Sequence, residues 1–108
     1  MADANKETYD YIIVGAGSAG SAVAHRLSAN PAHRVLLLEA GPPSHPMSRF
    51  PFGARSLIAN PLANWCYSSE PEASTNGRRI PVPRGKLLGG SSSINGLVFV
   101  RGQAQDYN

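Results

Sequence analysis

Three glycines spaced as Gly15-x-Gly17-x-x-Gly20 separate a β-prone run from a helix-prone one, and few folds accommodate that arrangement. Upstream lies Tyr9-Asp10-Tyr11-Ile12-Ile13-Val14, which ends in four consecutive apolar positions. Short, β-branched and aromatic, it predicts a strand buried on both faces of a parallel sheet. Downstream, Ser21 to Ser28 is rich in helix formers and predicts a helix, with Ala22, Val23, Arg26 and Leu27 at one-turn spacing. Asn30-Pro31 ends it, because proline restricts the residue before it and cannot continue the hydrogen-bond ladder. Arg34 to Leu38 predicts a second buried strand, closed by Glu39-Ala40-Gly41. The unit is strand, glycine turn, helix, strand, an α/β pattern.

Its geometry dictates a chemistry. Gly15 permits a tight turn out of the strand, Gly17 lets a pyrophosphate approach the backbone, and Gly20 lets the helix pack close to the strand. The helix starts at this loop, so its free N–H groups and dipole favour an anion there. Glu39 stands 24 residues after Gly15, at the end of the second strand. A carboxylate there accepts hydrogen bonds from ribose hydroxyls and repels a 2′-phosphate, which argues against NADP. The strand before, the helix after and the acid at this distance are the context the motif requires for dinucleotide binding. The alternative, a turn that only packs strand on helix, leaves Glu39 unexplained. The motif does not separate FAD from NAD.

Composition bounds the rest. The 108 residues make one domain's worth of chain, and 42% hydrophobic with 16% charged residues predicts a folded domain rather than a disordered one. No run approaches the ~18 apolar residues of a transmembrane helix, and no basic stretch followed by an apolar core marks a secretory signal. The single Cys66 excludes an internal disulfide and points to a reducing compartment, consistent with a cytoplasmic location; peripheral membrane association stays open. Residues 1–40 hold three glycines and one proline, whereas residues 41–108 hold eight of each. The net charge of +3 also arises after residue 40. Its basic residues are scattered and aromatics make up only 7%, which argues against a nucleic-acid partner.

The second segment predicts little regular structure: a short helix near Ala54–Ala59, a strand at Trp65–Ser69, and a turn at Asn76-Gly77 leading to a strand at Arg79–Pro83. Then comes Pro83-Arg84-Gly85-Lys86-Leu87-Leu88-Gly89-Gly90-Ser91-Ser92-Ser93-Ile94-Asn95-Gly96. Small hydrogen-bonding groups flanked by Arg84 and Lys86 suit a second approach to a pyrophosphate. The alternative is a flexible Gly/Ser linker. The apolar run Leu97-Val98-Phe99-Val100 is expected to anchor the loop. Cys66 beside Trp65 is expected to be a packed small residue, and Phe50, Phe52 and Phe99 core or interface residues.

Tyr9 to Gly20, Leu36-Leu37-Leu38-Glu39-Ala40-Gly41 and Pro83 to Gly96 together closely resemble the glucose–methanol–choline (GMC) oxidoreductases, in particular the choline-dehydrogenase-like alcohol dehydrogenases. Val100-Arg101-Gly102 and Asp106-Tyr107 fit the same branch. The resemblance implies a Rossmann-like βαβ FAD-binding fold over residues 1–41, then a loop-rich segment over 42–108 that wraps the cofactor. It implies that Gly15, Gly17, Ser18 and Gly20 hold the FAD pyrophosphate, and Glu39 with Ala40 the adenosine ribose. Gly90 and Ser91 would line the phosphates and ribityl chain. Asn95, Gly96, Leu97 and Val98 would lie beside the flavin ring, with Trp65 and Arg84 in the cofactor shell. Some relatives tether FAD through a His four residues after the second glycine of the Gly-Gly pair. Here that residue is Ile94, so dissociable FAD is expected.

Length departs from the family, whose members are several times longer. The substrate domain and the acid–base histidine lie downstream in them, so this chain is expected to be an N-terminal portion without catalytic residues. Its partners would be the remainder of the polypeptide and a small alcohol. Alone it is expected neither to fold stably nor to turn over. His25, His33 and His45 match no catalytic position and are expected at the surface. Three rivals remain: a non-redox or light-driven member of the family (a hydroxynitrile lyase or photodecarboxylase), an NAD-binding module, and a basic nucleic-acid binder.

Overall fold

The computed structural model describes residues 7–107. β1 (Tyr11–Val14) and β2 (Val35–Leu38) pair in parallel, in the register Tyr11↔Val35 through Val14↔Leu38. The Gly15 N–H carries the ladder one step further, to the Leu38 carbonyl at 2.7 Å. β1 starts two residues later than its sequence suggests. Asp10 is occupied elsewhere, its carboxylate accepting the Arg34 N–H at 2.7 Å as the two strands begin.

Helix α1 (Ser18–Ser28) joins the strands and begins inside the glycine motif, three residues before the expected start. This displaces its packing line. The half-buried positions are Gly20, Ala24 and Leu27, whereas Ala22, Val23 and Arg26 are exposed. Gly20 is pressed against the turn, since a Cβ there would lie 1.9 Å from the Gly15 carbonyl oxygen. At the other end, His33 Nδ1 lies 3.2 Å from the Leu27 carbonyl, so this half-buried histidine closes the helix rather than standing free at the surface.

The second segment is ordered by turns. A 3-10 turn (Pro46–Arg49) leads into the short helix α2 (Ala54–Leu57), two residues shorter than expected. β3 (Tyr67–Ser68) and β4 (Pro81–Val82) pair antiparallel, and the chain reverses through Asn76 and Gly77 at φ +55° and +69°. The turn is where the Asn-Gly pair places it, because those two residue types tolerate left-handed backbone.

The core is small: Leu57, Ala63, Leu87 and Ile94. Truncating a buried leucine costs about 2–5 kcal/mol, so Leu57 and Leu87, both fully buried, matter most. The Gly-Gly-Ser-Ser-Ser stretch is no linker. It forms a 3-10 turn (Gly90–Ser93) in which Ser92 Oγ donates to the Gly89 carbonyl and Ser93 Oγ to that of Leu88. Its anchor is Ile94 and not the apolar run that follows, where Leu97, Val98, Phe99 and Val100 are 64–89% exposed. Cys66 is exposed, against expectation, and Phe50 and Phe52 are exposed as well, which leaves them outside the core of the described residues. No helix among the described residues is long and apolar enough to cross a membrane.

Candidate functional site: a glycine-lined cleft

A cleft of about 720 Å³ opens where β1 and β2 end and α1 begins. That volume is typical of small-molecule sites. One wall is Val14, Gly15 and Gly17 with the first helical turn, Ser18-Ala19-Gly20. Gly17 caps α1 without a side-chain hydrogen bond. The amides of the first turn therefore lack intrahelical partners and carry the positive end of the helix dipole.

The floor is made by the second glycine motif. Gly17 and Gly89 form a parallel bridge, and the Gly89 N–H donates to the Ala16 carbonyl at 2.8 Å. The two loops meet backbone to backbone: a Cβ on Gly90, itself at φ +58°, would sit 3.0 Å from the Gly17 Cα. Glycine at both positions leaves a cradle of bare peptide that any larger residue would fill. Gly90 and Ser91 line it. The Ser91 Oγ accepts the Gly85 N–H at 3.1 Å, which leaves its hydroxyl proton for a ligand.

Glu39 stands at the end of β2, as the spacing predicts, but it is not idle. Oε2 accepts the Ala16 N–H at 2.8 Å and Oε1 the Gly41 N–H at 3.0 Å. Each oxygen has a further lone pair for a ligand hydroxyl. Ala16 has no exposed surface. The carboxylate thus braces the glycine turn from within, a role that spacing alone did not suggest.

The opposite wall carries Trp65, Tyr67, Arg84 and Gly85. The Trp65 and Tyr67 rings stack with centroids 6.0 Å apart and planes 2° from parallel, and Lys86 Nζ lies 4.9 Å from the centre of the Trp65 ring. Arg84 Nη1 donates to its neighbour's carbonyl at Pro83, leaving further guanidinium donors.

Of the residues singled out from sequence, Gly15, Gly17, Ser18, Gly20, Glu39, Ala40, Trp65, Arg84, Gly90 and Ser91 come together around this cleft. Asn95, Gly96, Leu97 and Val98 do not. They form an exposed stretch past the 3-10 turn, where Asn95 Oδ1 accepts the Leu97 N–H at 2.9 Å. Val14, Ala19, Leu38, Tyr67 and Gly85 also line the cleft and were not anticipated. Tyr67 was within reach of the sequence, because the strand expected over Trp65–Ser69 would put residues 65 and 67 on one face. In the structure the left-handed Cys66 between them brings the rings together.

A parallel βαβ unit whose glycine turn, uncapped helix start and terminal carboxylate surround one cleft defines a class of mixed α/β protein with its candidate site at the ends of the strands. Within that class the chain belongs to the GMC oxidoreductase family, whose model matches residues 9–108. It is 52% identical over 100 residues to an alcohol dehydrogenase [acceptor] of Pseudomonas putida, covering 92% of this chain and 18% of that protein. It is 42% identical over 116 residues to the mitochondrial choline dehydrogenase of Mus musculus, covering all of this chain and 20% of that one. Among solved structures, pyridoxine 4-oxidase from Mesorbium loti superposes with a TM-score of 0.81 at 42% identity, over 93% of this chain and 20% of the oxidase. The chain therefore spans about a fifth of the length of these relatives.

Proposed function

We propose that this chain is the FAD-cradling N-terminal portion of a cytoplasmic, flavin-dependent enzyme that oxidises an alcohol CH–OH group to a carbonyl. The observation that carries this reading is the meeting of the two glycine loops, Gly17 against Gly89-Gly90, beneath an uncapped helix start and opposite Glu39. The residues fit the cofactor. Bare backbone and free amides suit a pyrophosphate, and a carboxylate at the end of β2 suits a ribose diol. Relatives named as an alcohol dehydrogenase, choline dehydrogenases and a pyridoxine oxidase support oxidation of CH–OH donors.

In this reading Gly15, Gly17, Ser18 and Gly20 hold the pyrophosphate, with Gly90 and Ser91 closing on it from below. Glu39 and Ala40 receive the adenosine ribose in a Rossmann-like unit. Trp65 and Arg84 flank the cofactor, and Asn95, Gly96, Leu97 and Val98 continue towards the flavin ring. Bound FAD supplies the hydride acceptor, flavin N5. The chain's own part is to bind and orient it; the base that takes the hydroxyl proton would come from the remainder of the polypeptide, which would also cover the apolar surface left exposed here.

The test is a titration of the full-length apoprotein with FAD and NAD, followed by quenching of flavin fluorescence and by calorimetry. Saturable binding of FAD and not NAD is expected, with reduction of a dye acceptor by an alcohol. Binding of NAD alone would refute the cofactor, and cyanohydrin cleavage or light-driven decarboxylation without dye reduction would refute the reaction.

We also propose that the cofactor is dissociable. Ile94 occupies the tethering position, and its buried aliphatic side chain offers no atom for a bond to flavin. Acid or denaturant should release all flavin from the polypeptide, and yellow colour retained on the denatured chain would show otherwise.

A further inference from the structure

Among the described residues Asn64 is the polar side chain that shares the interior with the core, at 2% exposure. It does not line the cleft. Its Nδ2 donates to the Ile58 carbonyl just past α2. Its Oδ1 accepts two backbone amides, Cys66 at 3.0 Å and Arg84 at 2.8 Å. One carbonyl and two N–H groups fix the amide's orientation, because a flipped amide would set donor against donor. Main-chain bonds continue the junction: Trp65 N–H to the Arg84 carbonyl at 2.9 Å, and Lys86 N–H to that of Ala63 at 2.8 Å.

The two accepted amides frame the residues that form the cleft's far wall. Cys66 sits at φ +54°, a left-handed conformation that a residue with a Cβ adopts only under constraint. The bond from its N–H to Asn64 Oδ1 supplies the constraint, as asparagine side chains do two residues before such turns. The left-handed turn at Cys66 presents Trp65 and Tyr67 on one face as a stacked pair, with Lys86 over Trp65. The second amide sets the backbone from which the Arg84 side chain departs.

We infer that Asn64 is a positioning residue: through Oδ1 it sets Trp65 and Arg84, and with Trp65 the Tyr67 ring, at the distance from the glycine loops that the cofactor requires. This rests on the proposed FAD reading of the cleft. A residue that merely filled the core would act as Leu57 does, through packing.

The test uses the full-length protein carrying Asn64→Ala, Asn64→Asp or Leu57→Ala, each stripped of flavin and titrated with FAD where circular dichroism shows it folded. Emission from Trp65 is isolated by subtracting the matching Trp65→Phe protein. Asn64→Ala should lose roughly tenfold in FAD affinity and shift the Trp65 emission. Asn64→Asp keeps an acceptor for both amides, and its second oxygen must carry a proton to face the Ile58 carbonyl without burying a charge. It should stay within about threefold of the parent with unshifted emission. Leu57→Ala should lower stability while leaving affinity and emission unchanged. Parental affinity and emission in Asn64→Ala would overturn the inference, as would an equal loss in Leu57→Ala. If Asn64→Ala does not fold, a shifted Trp65 emission in Asn64→Asp overturns it and an unshifted one supports it. If the parent itself binds no FAD, the cofactor reading falls. Trp65 emission then decides Asn64's role alone: shifted in Asn64→Ala but not in Leu57→Ala supports it, and unshifted in Asn64→Ala overturns it.

Discussion

Replacing Gly20 by alanine is expected to destabilise the protein by about 2–3 kcal/mol and to weaken FAD binding with it. Two effects oppose each other. Alanine gains about 1 kcal/mol over glycine inside a helix. Its Cβ, however, would lie 1.9 Å from the Gly15 carbonyl oxygen and 3.1 Å from the carbonyl carbon. Those are backbone atoms held by the parallel ladder, since the neighbouring Gly15 N–H is bonded to Leu38. They cannot swing away as a side-chain tip would. The helix start must move instead, and Ser18 and Ala19 move with it out of the cleft wall. Urea unfolding measures the first effect and FAD titration the second. Gly96→Ala is the control for stability, with no atom within 4 Å of the added Cβ and no positive φ, and it should leave urea unfolding unchanged. A Gly20→Ala protein as stable as the parent would show that the close approach of helix and turn is not needed.

Glu39→Gln is expected to destabilise even the flavin-free protein, by about 1–3 kcal/mol. The carboxylate uses both oxygens on backbone amides, those of Ala16 and Gly41. Glutamine has one oxygen, so its amide nitrogen must face one of those N–H groups, donor against donor. The loss of charge weakens the surviving bond as well. The more costly outcome leaves the Ala16 N–H without a partner, because that residue is sealed from water. If Glu39 served only a ribose, the apoprotein would be as stable as the parent and affinity for FAD alone would fall. Thermal unfolding of the apoprotein separates the cases: a lowered midpoint without ligand supports the brace, and an unchanged midpoint removes it.

The first forty residues were the more legible part. β1, β2 and the helix between them follow from local propensities and from punctuation by glycine and proline, which neighbouring residues express without help from distant ones. Even so, the helix start was misplaced. Ser18 and Ala19 look like loop residues, and only the packing of Gly20 on the turn draws them into the first helical turn. In the second segment the Asn76-Gly77 reversal was legible because left-handed backbone selects those residue types. The anchor of the serine-rich turn was not. An apolar run, Leu97 to Val100, suggested burial, while the single Ile94 supplies it.

Local residue choice was enough to specify the parallel βαβ unit, the glycines its turn requires, and a carboxylate at the end of β2. These depend on spacing along the chain. How the pieces close a cleft emerges on folding: Gly17 against Gly89, Glu39 on the Ala16 amide, and Asn64 on the amides of Cys66 and Arg84. The reason is physical. These contacts are made by or to peptide groups, which every residue carries alike, and a glycine has no side chain to record its partner. Such junctions leave no periodicity in the sequence and become visible only when the chain is folded.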